Sequence, residues 1–148
     1  MPETETFDFV IVGAGSAGCV LANRLTASGR HRALLLEAGP ADRNLWINIP
    51  LGYGKLFTDR RHNWCYATEP QAECAGRQVI APRGKVLGGS SSINGLIYIR
   101  GQAEDFNLWR QLGNTGWGYD DVLPYFITSE ANARGADGFH GRDGLLAV

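Results

Sequence analysis

Cysteine is scarce in this 148-residue chain: Cys19, Cys65 and Cys74 are all there is. An odd count without metal-ligand spacing argues against a disulfide framework or a bound metal, and reduced thiols of a cytoplasmic protein are expected. Charge of one sign is missing as well. The 14 Lys and Arg are dispersed among 15 Asp and Glu, so no basic face points to nucleic acid or an anionic membrane. Long apolar runs are absent too. The best candidate, Phe9 to Ala22, is too short, rich in glycine and bounded by Asn23 and Arg24, so no transmembrane segment is expected. Residues 1–6 are polar and acidic and lack the basic start and apolar core of a secretory leader; they read as a disordered tail.

Glycine, by contrast, is abundant, with 20 residues. Phe9, Val10, Ile11 and Val12 form a short β-branched run, as in a strand buried in a parallel sheet. A glycine turn follows at once. Gly13 permits the tight turn, Gly15 lets the backbone approach a pyrophosphate, and Gly18 lets the next helix pack close to its strand. That helix is expected from Ser16 to Ser28, with Ala17, Val20, Leu21 and Leu25 on its packing face and Gly29 at its C-cap. Its free N-terminal N–H groups and dipole suit an anion. A second strand, Ala33 to Leu36, ends in Glu37, nineteen positions after Gly18, where a carboxylate accepts hydrogen bonds from an adenosine ribose and repels a 2′-phosphate. Residues 7–39 therefore read as a βαβ dinucleotide-binding unit. FAD and NAD both satisfy it.

Residues 40–82 show little helical periodicity but carry Trp46, Tyr53, Phe57, Trp64 and Tyr66, with prolines at Pro50 and Pro70. A stretch this long without clear elements is expected to cover a binding site. A second glycine motif opens the remainder, residues 83–148. In Arg83-Gly84-Lys85-Val86-Leu87-Gly88-Gly89-Ser90-Ser91-Ser92-Ile93-Asn94-Gly95, two glycines before a serine cluster suggest a turn into a helix capped by Ser90 or Ser91. Beyond it, Ile93, Gly95, Ile97 and Ile99 alternate like a strand, whereas Ile93, Leu96, Ile97 and Arg100 suit a helix. Further on, Phe106, Trp109 and Leu112 mark one face of a short helix closed by Gly113. Asp120 is the expected cap of another, with Pro124 in its first turn.

The run Gly84 to Ser91 with Ile93-Asn94, Tyr98, Gly101 and Asn107, the opening Asp8 to Ala22, and the block Asn63-Trp64-Cys65-Tyr66 with Glu69-Pro70-Gln71 resemble the glucose–methanol–choline oxidoreductases. This family comprises FAD-dependent alcohol dehydrogenases and oxidases. The similarity runs from Phe7 to Val148 and is greatest to choline-dehydrogenase-like members acting on primary alcohols. Ile127-Thr128 and Leu145 depart from the family's usual basic and proline residues. The resemblance implies an α/β, Rossmann-like FAD-binding domain, incomplete here, with the start of a second, substrate-domain sheet at the C-terminus. It selects FAD over NAD and favours a helix beginning near Ser90. It also implies cofactor contacts from Gly13, Gly15, Ser16, Gly18, Glu37, Ala38, Trp64, Val86, Gly88, Ser90, Asn94, Gly95, Leu96 and Ile97. Ile93 stands where some members carry a flavin-linked histidine; it has no nucleophilic atom, so the FAD is expected to be non-covalent.

Alcohol oxidation needs a base for the hydroxyl proton. His31 reads as a solvated loop residue, His62 follows Arg60-Arg61, whose charge would oppose its protonation, and His140 lies in a loop before a strand near Leu145 to Val148. None is a catalytic candidate, and the family's catalytic histidine comes from a later segment. The chain is thus expected to be an inactive N-terminal fragment whose small-molecule alcohol is a substrate of the longer enzyme. Two other readings stand beside this one. One is a cofactor-free interaction fragment that self-associates through an open sheet edge; the other is an NAD-dependent Rossmann enzyme, which the second glycine motif disfavours.

Overall fold

A computed structural model describes residues 4–148 of the chain as a mixed α/β protein. Two compact units divide it, Met1–Ile97 and Tyr98–Val148. The boundary falls within the segment 83–148. No helix among the described residues is long and apolar enough to cross a membrane.

The first unit opens with strand β1 (Phe9–Val12), helix α1 (Ser16–Thr26) and strand β2 (Ala33–Leu36). β1 and β2 pair in parallel, Phe9 opposite Ala33 through Val12 opposite Leu36, and the Gly13 N–H donates to the Leu36 carbonyl at 2.7 Å. Both strands start and end where the apolar runs do. α1 stops two residues short of Ser28, as Gly29 takes a left-handed φ of 67° and its N–H donates to the Thr26 carbonyl. Its packing face also differs from expectation. Gly18 is buried and Ala22 and Leu25 half-buried, while Ala17, Val20 and Leu21 are exposed. Gly18 sets this face, because a Cβ there would collide with the Gly13 carbonyl. On the sheet, Val10 and Val12 are 60% and 84% exposed, and β1 has one paired edge.

Residues 40–82 hold more structure than their sequence suggests. Asn44 caps helix α2 (Leu45–Asn48) by accepting from the Trp46 N–H, a 3₁₀ turn covers Pro50–Gly52, and helix α3 (Tyr53–Leu56) follows. Strands β3 (Tyr66–Ala67) and β4 (Ile80–Ala81) then pair antiparallel. Single-turn helices and two-residue strands are too short to display a period. They matter for packing, since Leu56 joins Val86 and Ile93 in a buried cluster lined by Ile47.

The helix expected from Ser90 is absent. A 3₁₀ turn spans Gly89–Ser92 instead, because the serine hydroxyls bind local backbone: Ser90 Oγ accepts from the Gly84 N–H and Ser92 Oγ donates to the Leu87 carbonyl. Neither strand nor helix follows over residues 93–100. Asn94 Oδ1 accepts from the Leu96 N–H, and Leu96 takes a left-handed φ of 59°, which breaks both repeats.

The second unit pairs helix α4 (Ala103–Gln111) with helix α5 (Tyr119–Ser129) and strand β5 (Glu130–Ala131) with strand β6 (Leu146–Ala147), the strands in parallel. Phe106 is buried, its ring 5.4 Å from Trp109 and 5.7 Å from Phe126. Leu112, expected on the same face, is exposed beyond the end of α4. α5 begins before its expected cap. Gly118 is the N-cap and Asp121, not Asp120, accepts its N–H at 2.9 Å. Pro124 consequently lies past the first turn, where its missing N–H removes a helical hydrogen bond.

Glu130 is fully buried and anchors this unit. Arg100, stacked on the Phe126 ring, forms an ion pair with it, Asn132 donates to it at 2.7 Å, and His140 Nδ1 lies 3.0 Å away. Burial pushes the Glu130 carboxyl up, but Asn132, His140 and the Arg100 charge outweigh it and hold the group below its usual range. A depressed carboxyl pKa stabilises the fold above the unfolded value, and that stability is lost as pH falls through the folded value. Glu130→Gln should therefore lower the neutral-pH unfolding midpoint and flatten its decline below about pH 4.3; an unchanged acid profile would contradict this role. In the first unit, Leu56→Ala should cost about 2–5 kcal/mol in urea unfolding if its cluster is the core.

Candidate functional site

Elements distant in sequence enclose a cavity of about 560 Å³ in the first unit. Val12, Gly13 and Gly15 form its floor, Leu36, Glu37 and Ala38 one edge, Trp64 a wall, and Arg83, Gly84, Gly89 and Ser90 the opposite rim. The two glycine motifs meet here. A Cβ on Gly89 would stand 2.8 Å from the Gly15 Cα, the Gly88 N–H donates to the Ala14 carbonyl at 2.8 Å, and Ser16 Oγ and Ser91 Oγ are 2.8 Å apart.

The floor can take an anion. Glycine at the N-cap of α1 has no side chain to occupy the first-turn N–H groups, and no acidic residue sits in that turn, so those donors and the helix dipole are left for a ligand. Glu37 stands at the edge. Its Oε2 accepts from the Ala14 N–H and its Oε1 from the Gly39 N–H, both at 2.9 Å. Each oxygen keeps a further lone pair for a hydroxyl. The wall is aromatic: Trp64 stacks on Tyr66 with centroids 6.0 Å apart and planes at 5°, and Lys85 Nζ sits 4.6 Å over the Trp64 ring. Diphosphate donors, a diol acceptor and a flat wall in one cavity fit an adenosine diphosphate group.

Of the residues singled out from sequence, Gly13, Gly15, Glu37, Ala38, Trp64 and Ser90 line this cavity. Ser16, Gly18 and Gly88 support its floor through the contacts above. Asn94 and Leu96 line a second cavity of about 210 Å³ with Trp46, Tyr53, Leu56 and Ser91. Val86 is fully buried in the core, and Gly95 and Ile97 are exposed. Arg83, Gly84 and Gly89 were legible as parts of the second motif, though its repeat gave no sign that they form a rim. Val12 and Leu36 read only as strand residues, and their place at the strand ends was the available signal.

No histidine lines either cavity. His62 is buried with Nδ1 2.6 Å from Asp59 Oδ2, so its close partner is a carboxylate, not the repulsive charge expected from Arg60-Arg61. Burial pushes the Asp59 carboxyl up, but hydrogen bonds from His62 and the Arg61 N–H, with their charge, hold it below its usual range. His31 packs edge-on against Phe9, and His140 is engaged with Glu130.

A glycine turn feeding a helix, a carboxylate closing the next strand and a second glycine turn locked against the first make a candidate nucleotide site in a mixed α/β unit. Residues 7–146 match the GMC oxidoreductase family, and the chain belongs to it. GMC oxidoreductases are flavin-dependent enzymes. The chain is 50% identical over 141 residues to an oxygen-dependent choline dehydrogenase of Rhizobium johnstonii, and 49% identical over 143 residues to one of Photobacterium profundum. The alignments take 95% and 97% of this chain but 26% and 25% of those proteins. It thus spans about a quarter of the length of the curated relatives it matches. Among solved structures, pyridoxine 4-oxidase from Mesorbium loti superposes with a TM-score of 0.87 at 41% identity, over 96% of this chain and 28% of the other. An FAD-dependent oxidoreductase from Chaetomium thermophilum gives 0.76 at 33% identity, over 96% and 26%.

Proposed function

We propose that this chain is the FAD-binding portion of a flavin-dependent oxidoreductase acting on the CH–OH group of small primary alcohols. The carrying observation is the joined pair of glycine turns, whose floor, carboxylate edge and aromatic wall suit the adenosine diphosphate half of FAD. β1–α1–β2 serves as the Rossmann-like core, residues 40–82 as the cover, and β5–β6 as the beginning of a substrate-domain sheet. Asn94 and Leu96, with the adjoining Gly95 and Ile97, face the flavin half. When bound, FAD accepts the hydride of the alcohol carbon.

The chain's own residues bind and orient. First-turn N–H groups of α1 hold the diphosphate, Glu37 accepts from the ribose hydroxyls, and Trp64 excludes water from one side. Ile93, 2% exposed and aliphatic, packs in the core and offers no atom for a covalent link, so the cofactor is held non-covalently. No histidine lines either cavity to act as the base, so the 148 residues alone bind FAD without turning over alcohol. Three free thiols suit a reducing, cytoplasmic setting.

A second reading has its own observation. The exposed Val10 and Val12 beside a one-sided strand edge favour self-association of a cofactor-free fragment. Size-exclusion chromatography with absorbance at flavin wavelengths separates the two: a yellow species supports FAD binding, and a colourless oligomer supports the alternative. Acid precipitation should leave the yellow colour in the supernatant, whereas colour retained by the polypeptide would refute non-covalent binding. Glu37→Ala should raise the FAD Kd tenfold or more, the equivalent of about 1.5–3 kcal/mol for hydrogen bonds to a charged group. An unchanged Kd would remove Glu37 from the site.

A further inference from the structure

We propose that Asn63 is a positioning residue for the nucleotide cavity, its amide oxygen fixing the Trp64 wall and the Arg83–Gly84 rim. This rests on the FAD reading above.

Asn63 is 1% exposed, and its side chain is saturated. Nδ2 donates to the carbonyls of Leu56 at 3.2 Å and Phe57 at 3.0 Å, while Oδ1 accepts from the N–H groups of Cys65 at 2.8 Å and Arg83 at 3.0 Å. Two donors and two acceptor lone pairs are all that an amide has. The reverse orientation would set N–H against N–H and carbonyl against carbonyl, so the assignment is unique. The amide is divided by purpose. Its nitrogen faces the end of α3, where Leu56 is part of the core, and its oxygen holds two chain segments that meet at the cavity.

Those segments need holding. Cys65 has a φ of 53°, in the left-handed region that a residue with a Cβ rarely occupies. The Asn63 Oδ1 bond to its N–H closes an Asx turn that keeps it there, and so directs the intervening Trp64 ring to the cavity. The same oxygen binds the Arg83 N–H, and the Arg83 carbonyl in turn accepts from the Trp64 N–H at 2.9 Å. Wall and rim share one acceptor atom.

Asp and Ala at this position separate positioning from stability. Asn63→Asp keeps both acceptor contacts but turns an oxygen toward the Leu56 and Phe57 carbonyls, and Asn63→Ala loses all four bonds. Flavin-fluorescence titration with FAD, at a temperature where circular dichroism shows folded protein, gives Kd; thermal melts give stability. The expected result is a lowered Tm but a Kd within about threefold of wild type for Asn63→Asp, and a Kd raised at least about tenfold for Asn63→Ala. Kd values that rise in step with lost stability in both variants, or Asn63→Ala binding like wild type, would overturn the proposal.

Amide hydrogen exchange gives a ligand-free readout. The Cys65 and Arg83 N–H groups should stay protected in wild type and Asn63→Asp, and lose protection in Asn63→Ala. If wild type itself binds no FAD, the cofactor reading fails and exchange alone decides the positioning role. If Asn63→Ala does not fold, Asn63→Asp decides by the same two measurements: a weakened Kd or unprotected Cys65 and Arg83 amides in it would overturn the proposal.

Discussion

Backbone meets backbone where the two glycine turns touch, and the cavity of the first unit depends on that contact. Gly15 and Gly89 approach too closely for a side chain on Gly89, and the Gly88 N–H reaches the Ala14 carbonyl. A hydrogen bond of this kind adds only about 0.5–1.5 kcal/mol by itself. Its value is geometric: it brings the rim over the floor at a separation that side chains would otherwise set. Glu37 reinforces the same loop from the other edge by accepting from the Ala14 N–H. Ala14 is thus gripped through both its polar backbone atoms, and it is fully buried between Gly13 and Gly15.

Much of this was legible in the sequence, for reasons that differ by element. β1, β2 and the first turn were readable to the residue because a β-branched run, three glycines and a terminal acid each have one local cause. The membership in a family was legible because the second motif is long and specific. The Gly89–Ser92 turn was not. Ser90 and Ser92 can cap a helix or bind nearby backbone with similar energy, and the choice depends on Gly84 and Leu87 being within reach. Asp120 and Asp121 posed the same problem, since the two adjacent acids differ only in which lies three residues after the cap.

The side chains that organise the buried polar sites were equally hidden. Asn63 entered the sequence reading only as part of a family-like block and Glu130 not at all, yet both are buried with polar partners. A lone buried carboxylate would be prohibitively costly, so Glu130 demands Arg100, Asn132 and His140 together. Such groups reveal themselves only when the partners, thirty residues apart for Arg100 and Glu130, are brought together. Periodicity cannot report them.

The link between Ser16 and Ser91 spans 75 residues of chain, a long loop to close. β1, α1 and β2 join through contacts closer in sequence, and bringing the rim onto them carries the larger loop-closure cost. Synthesis runs in the same direction. The floor emerges from the ribosome well before its rim. A ligand that spans floor and rim would therefore hold together two parts of the first unit that the chain itself joins only through a long loop.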